Sequence, residues 1–171
     1  DQVSSWETWT EEINKMKPFQ CFAVLRTMTN SWITSSRIPN GSHVSGCIFR
    51  CATPGACDRL GHYVACPVLW SFLADAFRTK EGPTTRHTSE RIGLTEDPKK
   101  LIIVAAASHV YHVFKHSFHR KTKKFLGWCR ALRGSLSAFL LLSGRKFKST
   151  SMPSRVWTQD MFDISLCMCD Q

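Results

Sequence analysis

The chain has 171 residues, 43% hydrophobic and 21% charged, enough apolar material for one domain with a workable core. That balance excludes a disordered chain, which would be poorer in apolar residues. No apolar run reaches the roughly 18 residues of a membrane-spanning helix, and no signal peptide is visible, so no membrane partner is expected. The chain starts at Asp1 rather than Met, which suggests an excised domain or fragment.

The net charge of +10 is unevenly spread. Residues 1–97 contain ten Lys/Arg and ten Asp/Glu, whereas residues 98–159 contain thirteen Lys/Arg and no acid. Such clustering points to a polyanionic partner, RNA or DNA before a membrane surface, because neutralising phosphates rewards grouped cations. The alternative is a solvated basic face that aids solubility.

In chain order, Ser4-Ser5-Trp6-Glu7 has the form of a capping box and predicts a short helix over residues 4–16. Pro18 suits the first turn of a second helix, expected over residues 19–35. Phe22, Leu25, Met28/Thr29 and Trp32 would share its apolar face, with Cys21 packing and Arg26 and Arg37 solvated or reaching a phosphate. Ile38-Pro39-Asn40-Gly41-Ser42 reads as a turn.

The segment after that turn carries the chemistry. Cys47 and Cys51 form a C-x3-C pair, and after ten intervening residues His62 and Cys66 form an H-x3-C pair at a helix start. Two short-spaced pairs flanking a loop can converge on one tetrahedral ion, and three thiolates with one imidazole suit Zn2+ in a closed, structural site. Pro54-Gly55 favours a tight reversal between the pairs. Cys57 is close enough to replace Cys51, and His43 is a poorer substitute. The competing possibility is buried apolar cysteines or disulfides, but without secretory signals the eight cysteines favour metal ligation in a reducing compartment, nuclear or cytoplasmic.

The segment His62-Tyr63-Val64-Ala65-Cys66-Pro67-Val68-Leu69-Trp70 resembles the zinc-binding region that follows the polymerase domain of non-LTR retrotransposon reverse transcriptases, with its His-Tyr/Phe-x-x-Cys-Pro-x-x-Trp pattern. Upstream, residues 24–37 are similar to the helical lead-in of those proteins, with Ser31 in place of a glycine and Ile33 in place of a frequent cysteine. The resemblance covers about residues 20–118. It implies an accessory region that holds template RNA or target DNA near the polymerase part of a larger polypeptide.

Pro67 opens a further helix with Val68, Leu69, Phe72, Leu73 and Phe77 as its apolar face and Trp70 beside the metal ligands. Residues 79–100 read as a loop with one helical turn near residues 89–94. A strong helix follows over residues 98–119, with Ile103, Val104, Ala107, Val110, Tyr111, Phe114 and Phe118 on one face. His109, His112, His116 and His119 form a stripe on a neighbouring face. That stripe is an exposed polar seam, a set of RNA-phosphate contacts, or a second metal site at His112 and His116. Residues 120–124 are a basic cluster fit for nucleic-acid backbone or nuclear import. Residues 128–142 form another helix with Leu132, Leu136, Ala138, Phe139 and Leu140 as core, stopped by Gly144. Residues 151–171, ending in Cys167-Met168-Cys169, read as a flexible tail.

The expected fold is mainly α, a small helical domain organised around the CCHC zinc site, with little or no sheet. Its parts are residues 1–97 (core 19–80), a basic helical segment 98–150 and the tail. No polymerase signature, phosphate loop or nucleophile elbow is present, so the chain is not expected to be an enzyme. Expected backbone-binding residues are Lys115, Arg120, Lys121, Lys123, Lys124, Arg130, Arg133, Arg145, Lys146 and Lys148. The competing function is a zinc-nucleated structural or protein-interaction module of a larger assembly.

Overall fold

A computed structural model describes residues 2–37, 46–77, 79, 88–121 and 125–143, without the side chains of residues 2–5, 117–121 and 125–131. Among these residues there is no β-strand, and seven α-helices carry the fold. They are α1 (Gln2–Asn14), α2 (Pro18–Met28), α3 (Leu60–Ala65), α4 (Pro67–Phe77), α5 (Thr88–Arg91), α6 (Pro98–Lys121) and α7 (Phe125–Leu142). A 3-10 turn occupies Ser35–Arg37.

The axis of the bundle is α6. Leu101, Val104, Ala105, Ala106, Ala107, Ser108, Val110, Tyr111 and Phe114 are all buried, so this helix is enclosed on more than one side. It packs chiefly against α2 and α7, with α4 in a smaller contact. Its start is well specified: Pro98 sits in the first turn, and the Asp97 carboxylate accepts the backbone N–H of Lys99 at 2.8 Å. On α7, Leu132, Ser135, Leu136, Phe139 and Leu140 are buried, with Ala138 half-buried, close to the face expected from the spacing. Buried residues from both the 1–97 and 98–150 segments join one hydrophobic cluster.

The N-terminal helices depart from expectation. Helix α1 begins at Gln2, so the Ser4–Glu7 box lies inside it instead of capping it. Trp9 and Ile13 anchor α1, and the Trp9 indole donates to the Gly93 carbonyl at 2.8 Å. Helix α2 stops at Met28, well short of residue 35. Asn30 takes a left-handed conformation (φ 52°) and Ser31 N–H reaches back to the Arg26 carbonyl at 2.7 Å, a C-terminal cap that asparagine tolerates. Its buried face is also different: Gln20, Ala23, Val24 and Thr27 face inward, while Phe22 is 66% exposed and Leu25 38%. Trp32 does reach the core, from the extended segment after the helix, where its indole donates to Thr27 Oγ1 at 2.9 Å.

The start of α2 is clamped to the end of α7. Gln20 accepts the Lys17 N–H at 3.0 Å and donates to Ser143 Oγ at 2.9 Å, while Lys17 Nζ donates to the Leu142 carbonyl at 2.8 Å. The start of α2 thereby satisfies the end of α7. The expected Gly144 stop and the 151–171 tail, including Cys167 and Cys169, lie outside the described residues.

Gly93 tests this packing. It has φ +96°, and an added Cβ would stand 2.8 Å from Cγ1 of the fully buried Val24 and 3.3 Å from Met28 Cγ. Gly93→Ala is expected to cost about 2 kcal/mol through overlap and backbone strain. Gly134→Ala, in the exposed interior of α7 with nothing within 4 Å, is expected to gain about 0.5–1 kcal/mol. Denaturant-unfolding midpoints of the two variants should move in opposite directions.

Candidate metal centre

Gly46 (φ 96°) delivers the chain into a turn in which the Arg50 N–H donates to the Cys47 carbonyl at 2.8 Å and Arg50 itself adopts φ 53°. The turn is held from beneath, since Ile48 and Phe49 are buried and Phe49 packs on Tyr63 and Phe114 with ring centroids 5.7 and 5.3 Å away. Cys47 and Cys51 therefore rise from a fixed base. Beyond a reversal at Pro54-Gly55 (Gly55 φ 67°), α3 supplies His62 from its first turn and Cys66 from its C-cap. One turn of helix separates them, so both face the cysteine turn.

The donor atoms of Cys47, Cys51, His62 and Cys66 all lie within 4.8 Å of one another. Cys47 Sγ is 3.7 Å from Cys66 Sγ, and Cys51 Sγ is 3.2 Å from His62 Nε2. All three thiols are free and buried, and His62 is half-buried. This group can hold a metal ion. Cys57, the expected rival of Cys51, is half-buried and free but outside the converging set, and His43 lies outside the described residues.

The electrostatics of the thiols fit that role. Burial pushes Cys47 up to about 12 and Cys66 well above the usual thiol range. Cys51 is pulled far down by hydrogen bonds from Cys47 and Cys66, against its own burial. The cluster thus concentrates one thiolate between two protonated neighbours, and a cation at its centre would let all three ionise.

Beside the cluster is a second constellation that sequence reasoning missed. Asp58, 3% exposed, accepts the hydroxyls of both tyrosines in the chain on Oδ1, from Tyr63 at 2.8 Å and Tyr111 at 2.7 Å. Its Oδ2 accepts the Ser35 N–H at 2.6 Å, the Ser35 hydroxyl, and Lys115 Nζ at 2.7 Å. Burial disfavours the charged carboxylate, yet the hydrogen bonds from Lys115, Ser35, Tyr111 and Tyr63 together prevail and hold it down at about 2. Burial, followed by repulsion from Cys47 once that thiol ionises and from Asp58, drives Tyr63 well above the phenol range. Burial and the Asp58 hydrogen bond do the same for Tyr111, so both phenols stay donors. Trp32 lies over the pair, 5.9 Å from Tyr63 and 4.7 Å from Tyr111 by ring centroids. The available signal was that Asp58 is the single acid between Glu12 and Asp75, in a cysteine-rich apolar stretch.

Lys115 therefore differs from its expected role as a phosphate contact. Its ammonium is turned inward to Asp58, the Ile33 carbonyl at 3.0 Å and Ser35 Oγ at 3.2 Å. Arg133 is exposed on α7. The side chains of Arg120, Lys121 and Arg130, and the whole of Lys123, Lys124, Arg145, Lys146 and Lys148, lie outside the described residues. The histidine stripe is not an exposed seam throughout: His109 and His112 are half-buried and only His116 of the described three is exposed. His109 packs on Phe19 and Phe139, and His112 Nδ1–H donates to the Ser108 carbonyl at 2.7 Å. Burial lowers both imidazoles, keeping them neutral. Trp70 donates to the Tyr63 carbonyl at 2.9 Å and carries the Arg91 guanidinium 5.0 Å above its ring, a packing role beside the cysteine turn.

Among the described residues no helix is long and apolar enough to cross a membrane. Comparison with protein-family models, with curated proteins and with solved structures yields no match.

Asp58→Asn leaves the half-buried Lys115 ammonium beside a neutral partner and is expected to cost about 2 kcal/mol at neutral pH. Because folding depresses this carboxyl, its contribution is complete above its ordinary value near 3.9. It disappears as the pH falls towards about 2. Unfolding curves of wild type and Asp58→Asn, compared pH by pH, should converge over that window.

Proposed function

We propose that this chain is a zinc-stabilised, non-catalytic nucleic-acid-binding domain. The observation that carries the metal assignment is the 3.7 Å separation of Cys47 and Cys66 sulfurs within the four-donor group. Two sulfurs bound tetrahedrally at about 2.3 Å from one Zn2+ stand roughly 3.8 Å apart, so the observed spacing fits that ion. A Cys3His set fills all four tetrahedral positions and leaves none for a substrate or an activated water, which favours a structural centre. Free cysteines also suit a reducing compartment, nuclear or cytoplasmic.

The nucleic-acid partner is supported by charge. Residues 98–159 hold thirteen cations and no acid, and those other than Lys115 and Lys100, which Asp58 and Glu90 hold, would make a phosphate-neutralising surface beside a metal-pinned core. The likeness of residues 20–118 to retrotransposon zinc regions agrees with an accessory role next to a polymerase.

Binding of a short RNA or DNA of arbitrary sequence should show little sequence preference and a steep loss of affinity with salt. Each neutralised phosphate contributes about 0.7 (single strand) to 0.9 (duplex) to the log–log slope. Chelating the metal should abolish binding together with the helical signal. An affinity that stays flat between low and physiological salt would contradict phosphate recognition and favour the protein-interaction module instead.

A further inference from the structure

One face of α2 remains unexplained by the core. Phe19, the adjacent Phe22 and Ala23, and Arg26 recur three to four residues apart, and together with Ser108, His109 and His112 of α6 they line a cavity of about 300 Å3. Ala23 of α2 and Ser108 of α6, both small and buried, leave room for the hollow they line. Its volume is at the lower end of the roughly 300–1,000 Å3 of small-molecule sites.

The chemistry of the lining is specific. Phe22 is 66% exposed although α2 had smaller residues to expose, and Phe19 is half-buried with its ring 6.4 Å from that of His109. His109 Nε2 is buried and has no hydrogen-bond partner among the described residues, an orphan that an incoming polar edge would satisfy. His112 is committed on both ring nitrogens, its Nδ1–H to the Ser108 carbonyl and its Nε2 to the Ile33 N–H at 3.5 Å, so the unmet polar atom of the lining is His109 Nε2. Arg26 is exposed and makes no ion pair among the described residues. It stands seven residues, about 10 Å along the helix, from Phe19. Aromatic faces, an unsatisfied polar floor and a cation at one end match a planar heterocycle carrying an anionic group.

We infer that the α2–α6 cavity is a slot for one unstacked base of a single-stranded nucleic acid, stacked on Phe22 with its phosphate at Arg26. The inference rests on the nucleic-acid reading above and adds a preference for single strands. Stacking on an aromatic side chain tolerates any base, so the slot would confer strandedness without sequence specificity. A duplex, with its bases already stacked and paired, would bind through backbone contacts alone.

The test uses two fluorescently labelled probes of equal length: single-stranded oligothymidylate and the same sugar-phosphate backbone with abasic residues. Wild type is expected to bind the base-bearing probe about tenfold more tightly than the abasic one. Phe22→Ala, at an exposed position that should not disturb folding, should erase that difference while leaving abasic binding unchanged. Leu25→Ala, also on α2 but outside the cavity lining, should keep it. Equal wild-type affinity for both probes, or a Phe22→Ala variant that retains the preference, would overturn the slot and leave backbone binding intact. Failure of wild type to bind either probe at low salt would overturn the nucleic-acid reading and the slot with it.

Discussion

Three sulfurs and an imidazole nitrogen packed within 4.8 Å of one another set the terms for everything around them. Thiols so close repel as they ionise, and burial penalises each charge further, which is why Cys47 and Cys66 are held protonated while Cys51 alone is pulled down. Only a cation lets the whole set ionise together. That constraint matters because residues 46–59 contain no regular secondary structure, so the path of the chain there depends on side chains. The Cys3His cluster lies on one side of the turn, and buried Ile48 and Phe49 hold the other.

The turn is tied to the helical bundle by a second polar centre. Asp58 gathers Tyr63 from α3, Tyr111 and Lys115 from α6, and Ser35 from the short 3-10 turn. A buried carboxylate that accepts this many hydrogen bonds tolerates little displacement of any partner. Tyr63 follows His62 directly, so the orientation of α3 at the Cys3His cluster and at Asp58 is set by the same backbone. Disturbing either centre should therefore be felt at the other, through one short helix.

What could be read in the sequence was local. The C-x3-C and H-x3-C pairs, the Pro67 helix start and the periodic stretches of α6 and α7 each depend on neighbours a few residues apart, and each appears where expected. The face of α2 was misjudged because bulky Phe22 and Leu25 have the right spacing for a core. Close packing on α6 instead selects small Ala23 and Thr27 together with Val24, and leaves the bulky residues outside. The end of α2 depends on Asn30 adopting a left-handed turn, which Thr27 and Thr29 do not signal. The inward turn of Lys115 was invisible for another reason: its partner Asp58 is 57 residues away, and a lysine near a basic run looks solvated until the fold brings the acid beneath it.

What we propose is dependence of the fold on one zinc held by Cys47, Cys51, His62 and Cys66. It is tested most directly by metal content per chain in protein purified without added zinc, with circular dichroism on the same samples. Wild type and Cys57→Ser should each carry one zinc and remain helical. Cys51→Ser and His62→Ala should lose the metal and, with it, much of the folded signal. A folded, metal-free wild type, or a Cys57→Ser variant that loses zinc while Cys51→Ser retains it, would contradict the ligand set.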